Sequence, residues 1–351
     1  GVYELHPDYE ELFLPSTKSS KERIFTIPRT IGNNNTDNGD MDDYWDYGSD
    51  YNQVVTELFR NAGGWGQLNP KWDLMAAYTC TDGKAIDKSP LFDPHNPFEN
   101  RDPRLSATII PFGSTFLGIE YDPRPNVAKV MNHNTGQMMD NKDSYAVVWA
   151  ATFNGLSWKK GIDESWTQNG NKAANDIVWI RYADVLLMYA EAKIELNEID
   201  DSVIDAMNAV RARAYGVAPS QTSDYPAFTK QAQAAMRNHI RVERRMEFAK
   251  EGLRYTDMIR WKQAEKVMKR KIYGILYPAE DAIRELIDTG DWLWPFAPTI
   301  DEDGCPDFTK LEATGKYRVI SQRSWDNKMY LWPIPSTEIQ INPNMQQNKD
   351  Y

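Results

Sequence analysis

The sequence predicts a mainly α-helical protein with a loop-rich first half and few short strands. Two observations carry this. From about residue 175 to 290, apolar residues recur at helical spacing in consecutive segments joined by short connections. Before that, short apolar stretches alternate with long runs of Asn, Asp, Gly and Pro. Three regions follow: 1–175, loop-rich with short helices and strands and expected to face a ligand; 176–290, a helical scaffold; and 291–351, an irregular segment packing on that scaffold. No low-complexity linker separates them, so one integrated domain is expected.

Taken in order, Ile24–Ile27 reads as extended and is stopped by Pro28. Asn33–Asp50 is a polar loop holding Tyr44, Trp45 and Tyr47. Tyr51, Val54, Val55, Leu58 and Phe59 line one helix face, which Gly63-Gly64 ends. Asn69-Pro70 gives a cap and first residue for a helix to about Tyr78, and Asp82-Gly83 gives a turn. Leu105–Pro111 and Tyr145–Phe153 are rich in β-branched and aromatic residues and read as strands. Ile180, Ala183, Leu187, Ala190 and Ile194 stripe one scaffold helix; Val203, Ala206 and Val210 stripe the next, up to Gly216. The Asn197–Asp201 link is so short that the two must pack antiparallel. Ala235, His239, Val242, Met246 and Ala249 mark a third helix, interrupted at Glu251-Gly252 and resumed over Leu253–Arg270. Tyr277–Gly290 has Pro and acids at its start and Gly at its end, as a helix requires. Met329–Pro335 reads as a short extended run.

Composition narrows the function. The 351 residues carry 40 Lys plus Arg against 51 Asp plus Glu, a net charge of −11, which argues against a nucleic-acid partner. It also leans toward neutral rather than sulfated or uronic ligands. No apolar run approaches the roughly 20 residues of a membrane helix. Cys80 and Cys305 form no C-x-x-C pair, and the four histidines share no ligand spacing, so neither a disulfide framework nor a zinc site is expected.

Motifs of catalysis are missing too. The sequence holds no H-E-x-x-H, no G-x-S-x-G and no G-x-x-x-x-G-K-[ST]. Ser157-Trp158-Lys159-Lys160 matches S-x-x-K without the K-T-G that would accompany it. The acids Asp40, Asp42, Asp43, Asp46 and Asp50 fail the calcium-loop pattern, because Tyr44 and Trp45 occupy its oxygen and glycine positions. No cofactor and no metal are expected. Arg241–Arg260 is dense in both signs of charge, and that balance favours ion pairs between elements over an anion site, which would leave Arg unpaired.

The aromatic residues point elsewhere. With 12 Trp, 18 Tyr and 12 Phe, some are expected on a binding face. Trp149, Trp179, Trp261 and Trp332 lie in regular or apolar stretches and are expected in the core. Tyr44, Trp45, Tyr47, Trp65, Phe116 and Tyr121 lie in loops among Gly, Asn and Asp. Flat rings beside polar groups suit a sugar, whose C–H face packs on the ring while its hydroxyls hydrogen-bond. These six are the candidate glycan-binding residues. No catalytic residue is assigned.

A series of motifs along the chain resembles those of one known family. Glu22–Pro28 (ERIFTIP) is similar to its E-x-I-F segment. Asn69–Tyr78 (NPKWDLMAAY) is similar to P-T-x-x-L-x-x-x-Y, with Lys71 in place of Thr. Asp93–Leu105 (DPHNPFENRDPRL) carries N-R-D-P-R-L. Ile180–Leu196 (IRYADVLLMYAEAKIEL) and Asn208–Arg213 (NAVRAR) resemble R-x-A-D-x-L-L-x-x-A-E-A and N-x-V-R-x-R. Glu243–Trp261 (ERRMEFAKEGLRYTDMIRW) resembles E-R-x-x-E-x-x-x-E-G-x-R-x-x-D-x-x-R-W, and Leu331–Tyr351 the terminal P-I-P-x-x-E-I-x-x-N-P-x-x-x-Q-N-x-x-Y, with Lys349-Asp350 in place of Pro-Gly.

Together these motifs resemble the SusD/RagB family of outer-membrane nutrient-uptake lipoproteins of Bacteroidetes, and the resemblance implies a tetratricopeptide-like helix-pair scaffold carrying a loop-rich ligand region. It implies the C-terminal two-thirds of such a protein, without the N-terminal helical block and lipidated cysteine. It implies a non-enzymatic binder of oligosaccharide or polysaccharide on the extracellular face of the outer membrane, delivering its ligand to a SusC-like TonB-dependent transporter. Membrane association would run only through the lipid anchor. The residues alone leave two alternatives open: a glycoside hydrolase using paired carboxylates, and a helical-repeat scaffold that binds only protein.

Overall fold

Pro28 bounds the first strand, β1 (Arg23–Ile27), which pairs antiparallel with Ile177–Arg181 far along the chain. The computed structural model describes residues 1–29, 54, 56–149, 151–168, 173–276 and 281–351. Tyr51 and Val55 lie outside these residues; Val54, Leu58 and Phe59 of the same expected stripe are buried together. Gly63, at φ +100°, ends this segment. α1 (Trp72–Ala77) starts two residues later than Asn69-Pro70 suggests: Lys71 stands at the cap position, and Asn69 Nδ2 donates to the Gly66 carbonyl at 2.7 Å instead of Asn69 capping the helix.

The expected strand at Leu105–Pro111 is instead largely helix, α2 (Pro103–Thr108). Asp102 caps it, its carboxylate accepting the Arg104 N–H at 3.0 Å, and Pro103 occupies the first turn. A four-stranded antiparallel meander follows: β2 (Ser114–Phe116), β3 (Ile119–Tyr121), β4 (Lys129–Asn132) and β5 (Gln137–Asp140). Its first turn is Leu117-Gly118, both at positive φ, between the paired residues Phe116 and Ile119. The expected strand at Tyr145–Phe153 is a series of turns among the described residues.

β6 (Ile177–Arg181) completes the ribbon with β1 and leads directly into α3 (Tyr182–Glu195). Ile180, read as the start of the helical stripe, therefore lies in the strand. Ala183, Leu187, Ala190 and Ile194 are fully buried against Val203, Met207 and Val210 of α4 (Asp201–Ala214). Asp200 caps α4 by accepting the Ser202 N–H at 3.1 Å.

α5 (Gln233–Glu247) divides two cores. Met236 and Ile240 face the α3–α4 pair. Val242 and Met246 face a larger core that includes Trp72, Tyr78, Ile109, Trp294 and Tyr317. That core draws on all three sequence regions. A helix with two apolar faces buries more than one stripe, which is why Ala235 and His239, expected in a single stripe, are only half-buried.

The expected helix over Leu253–Arg270 splits in two. α6 (Leu253–Arg260) starts after Gly252 at φ +80°, and Lys262 at φ +56° separates it from α7 (Ala264–Met268). β7 (Lys271–Gly274) then pairs antiparallel with β8 (Arg318–Gln322), and α8 (Asp281–Thr289) lies between them in sequence. In the C-terminal segment, Asn327–Tyr330 forms a 3-10 turn rather than the start of an extended run, and α9 (Ser336–Ile341) follows. No described helix is long and apolar enough to cross a membrane.

Candidate functional site

The charged face of α5 is a buried ion-pair network. Glu243 accepts from Arg104 Nη1 at 2.7 Å and from Arg211 Nε at 3.1 Å. Glu247 accepts from Arg181 Nη1 at 2.7 Å, from Arg104 Nη1 at 2.9 Å and from Arg213 Nη2. Arg181 also reaches Glu22 and Glu251, each at 2.7 Å. Burial alone would raise the Glu247 pKa, but Arg213, Arg181 and Arg104 hold it far below the usual carboxylate range. These groups tie α2, β6, α4 and α5 together and are occupied by one another, as the charge balance predicts.

Two arginines of the Arg241–Arg260 stretch, Arg245 and Arg254, form no ion pair among the described residues. Arg245 and Arg254 line a cavity of about 280 Å³ at the corner between α5 and α6. Asn69, Pro70 and Lys71 form one side of it, ahead of α1, and Arg323 lies at the end of β8. Trp158 and Phe248 also line it, the Phe248 ring being held against the Arg181 and Arg244 guanidiniums at 4.6 and 4.9 Å.

Of the six candidate aromatics, Tyr44, Trp45 and Tyr47 lie outside the described residues. Trp65 is 44% exposed. Phe116 is half-buried, its ring centroid 6.2 Å from that of Phe59. Tyr121 is fully buried, edge-on to Phe59 at 5.6 Å, and its hydroxyl donates to the Gly155 carbonyl at 3.0 Å. Its sequence neighbours are polar, but strand alternation turns Ile119 and Tyr121 inward, so Tyr121 cannot stack on a ligand.

Three tryptophans expected in the core are outside it. Trp149 is 81% exposed, Trp332 is 73% exposed and Trp179 is 59% exposed. Trp149 sits in turns rather than a strand, and Trp179 lies on a two-stranded ribbon that no third strand extends among the described residues. Trp261 is half-buried, its indole N–H donating to Glu191 at 2.7 Å.

The loops of Trp65 and Trp149 run close together. Asn154 Nδ2 donates to the Pro70 carbonyl at 2.7 Å, and Trp72 Nε1 donates to the Asn154 carbonyl at 2.8 Å. A Cβ on Gly66 would stand 3.5 Å from the Thr152 methyl. Leu68 and Phe153 are exposed on the same two loops. The loop that presents Trp65 thus continues into the wall of the cavity at Asn69 and Pro70. Among the described residues no cluster of three or more His, Cys, Asp or Glu side chains could hold a metal.

The family's sequence model, described as the SusD family, matches residues 21–351. The chain belongs to the SusD family. A SusD-like carbohydrate-binding protein from Bacteroides fragilis is similar in structure, with a TM-score of 0.70 and 31% identity over 99% of this chain and 58% of its own. A second SusD-like protein from Bacteroides fragilis is 21% identical, with a TM-score of 0.64, over 99% of this chain and 59% of its own. Surface glycan-binding protein A from Bacteroides fluxus is 18% identical, with a TM-score of 0.50, over 100% of this chain and 55% of its own. The latter two show the fold alone. The chain therefore spans somewhat more than half the length of these solved relatives. No curated protein matches it. In this SusD-family chain the E-R-x-x-E segment has a physical role: its two glutamates are the centre of the ion-pair network, and its Arg244 pairs separately with Asp184 and Asp257.

Proposed function

We propose that this SusD-family chain is the larger part of a non-catalytic, cell-surface glycan-binding protein that passes oligosaccharide to a SusC-like TonB-dependent transporter at the outer membrane. The observation that carries the reading is the exposure of Trp65 and Trp149 on adjoining loops, in a chain similar to a SusD-like carbohydrate-binding protein. Exposed aromatic rings held by hydrogen-bonded loops offer a face for sugar C–H groups. Of the three described candidates of the sequence reading, Trp65 and Phe116 are kept, Tyr121 being fully buried, and Trp149 and Phe153 join them.

Two features support a non-catalytic role. Glu247 is kept ionised by arginines and Glu251 by Arg181 and Lys160, so neither is poised to donate a proton. Asp143 is raised to about 6 by burial, but it is sealed against the N–H groups of Arg60 and Asn61 at 2.7 and 3.0 Å, where it closes a loop. The test is calorimetry of the full-length protein against a panel of oligosaccharides, with an assay for reducing ends and co-purification with the transporter. Binding without release of reducing ends is expected. Release would make the protein a hydrolase, and a transporter complex without any glycan affinity would make it a protein-binding scaffold.

A further inference from the structure

We infer that the cavity between the approach to α1, the α5–α6 corner and the end of β8 takes an anionic sugar unit, one carrying a carboxylate or sulfate. As a sugar site it rests on the glycan-binding reading above; as an anion site it stands on the cavity itself.

The charge on the cavity walls is lopsided. Six cationic side chains line it, against the carboxylates of Asp73 and Asp257. Two of the six are neutralised: Arg244 pairs with Asp184 at 2.8 Å and Asp257 at 3.1 Å, and Lys250 pairs with Glu57 at 2.7 Å. The other four, Lys71, Arg245, Arg254 and Arg323, form no ion pair among the described residues. Arg245 donates only to carbonyls, those of Gly304 at 2.9 Å and Asp73 at 2.8 Å. Arg254 reaches the Cys305 sulfur at 3.8 Å. Arg323 donates to Met268 Sδ and to the Val267 carbonyl, each at 3.3 Å, while its Nε is buried without a partner. With Asp257 taken up by Arg244, Asp73 is the remaining acid on these walls.

Four such cations around one cavity repel each other, and burial sharpens the repulsion because low-dielectric surroundings screen it poorly. Burial and then the neighbouring Arg323 lower the Lys71 pKa, and burial and then Arg245 lower that of Arg254 to about 10. The rest of the family's charged segment is matched acid to base, so the imbalance is local. A bound anion would relieve it. Guanidinium forks suit a planar carboxylate or a sulfate, and a flexible ammonium adds a third donor. Trp158 on the wall supplies an aromatic ring for the C–H groups of a sugar, and about 280 Å³ lies near the lower end of ligand-cavity sizes, which suits one or two sugar units. The net charge of −11 points to neutral ligands; the local field of this cavity overrides it.

The experiment is calorimetry on the full-length protein with oligogalacturonate, a sulfated oligosaccharide and a neutral malto-oligosaccharide, repeated with Lys71→Met/Arg323→Met. The wild type is expected to bind at least one acidic probe, with affinity that falls as salt rises, and the double variant to lose about tenfold or more of it. Which acidic probe binds identifies carboxylate or sulfate as the preferred group. A wild type that binds neutral but not acidic probes overturns the inference and leaves the glycan-binding reading intact, as does an acidic affinity unchanged in the double variant. Binding of free galacturonate or inorganic sulfate, lost in the double variant, with no affinity for any oligosaccharide, keeps the anion site and removes the glycan reading. If the double variant does not fold, thermal unfolding of the wild type decides: galacturonate must raise the midpoint where galactose at matched ionic strength does not, and equal shifts overturn the inference.

Discussion

Arg181 Nη1 and Glu247 Oε1 lie 2.7 Å apart with neither side chain open to solvent. The pair joins the end of β6 to the end of α5, and Arg213 and Arg104 close on the same carboxylate from α4 and α2. Removing one member of a buried network strands the others in a medium that solvates charge badly. Glu247→Gln is therefore expected to destabilise the protein by about 3–5 kcal/mol. The exposed pair of Arg237 with Glu195 is the contrast: Arg237→Ala should cost about 1 kcal/mol or less. Urea unfolding of both variants checks this, and equal losses would remove the special role of the network.

The same network fixes the acid limit of the fold. Burial opposes the ionised forms of Glu247 and Glu251, but their cationic neighbours, arginines for Glu247 and Arg181 with Lys160 for Glu251, win and hold both pKa values below the unfolded value of about 4.3. A carboxylate depressed in the folded state stabilises the protein fully above its unfolded pKa, and that stabilisation drains away as pH falls toward the folded value. Unfolding free energy should hold steady down to about pH 5 and decline steeply below about pH 4. In Glu251→Gln the decline should be shallower, measured by urea titrations at each pH; an unchanged slope would assign the acid sensitivity to other groups.

Much of this fold is legible in the sequence where packing repeats. Ala183, Leu187, Ala190 and Ile194 announce α3 because one face of a helix is buried along its whole length. Leu105–Pro111 misleads because Ile109 and Ile110 favour extended backbone, while the decisive signal is the two residues before it: Asp102 caps and Pro103 starts a helix. The meander of β2 to β5 escapes because its strands are three or four residues long, too short to show a period, although Gly118 and Gly136 mark its turns at positive φ. The site is harder still. Composition points the wrong way for both rings: Tyr121 has polar sequence neighbours and turns inward, while Trp149 lies in the apolar run Tyr145–Phe153 and turns outward. The unpaired arginines of the cavity are also hidden, because the local charge balance of Arg241–Arg260 does not say which acid each Arg meets.

Gly64 shapes the loop that presents Trp65. A Cβ there would overlap the Leu58 carbonyl, a backbone group that cannot rotate away. Gly64→Ala should cost roughly 1–3 kcal/mol, as overpacking does. Because the strain falls on the loop rather than on the α3–α4 core, glycan affinity should fall as well. Unfolding curves and calorimetry on the same preparation test both halves; a variant with wild-type stability would show that the loop yields freely.

The last prediction separates binding rings from packing rings. Trp65 and Trp149 have ring surface open to solvent, so Trp65→Ala or Trp149→Ala should leave the unfolding midpoint nearly unchanged. If either ring carries a sugar, its loss should weaken glycan binding by about 2 kcal/mol or more, the scale of a binding hot spot. Tyr121 is the opposite case. Tyr121→Ala would empty a sealed position beside Phe59 and free the Gly155 carbonyl, which should cost about 3–5 kcal/mol of stability. Calorimetry at a temperature where all three variants are folded makes the comparison. Unchanged affinity in both tryptophan variants would take these two loops out of the glycan site and leave the ligand to other surfaces of the chain.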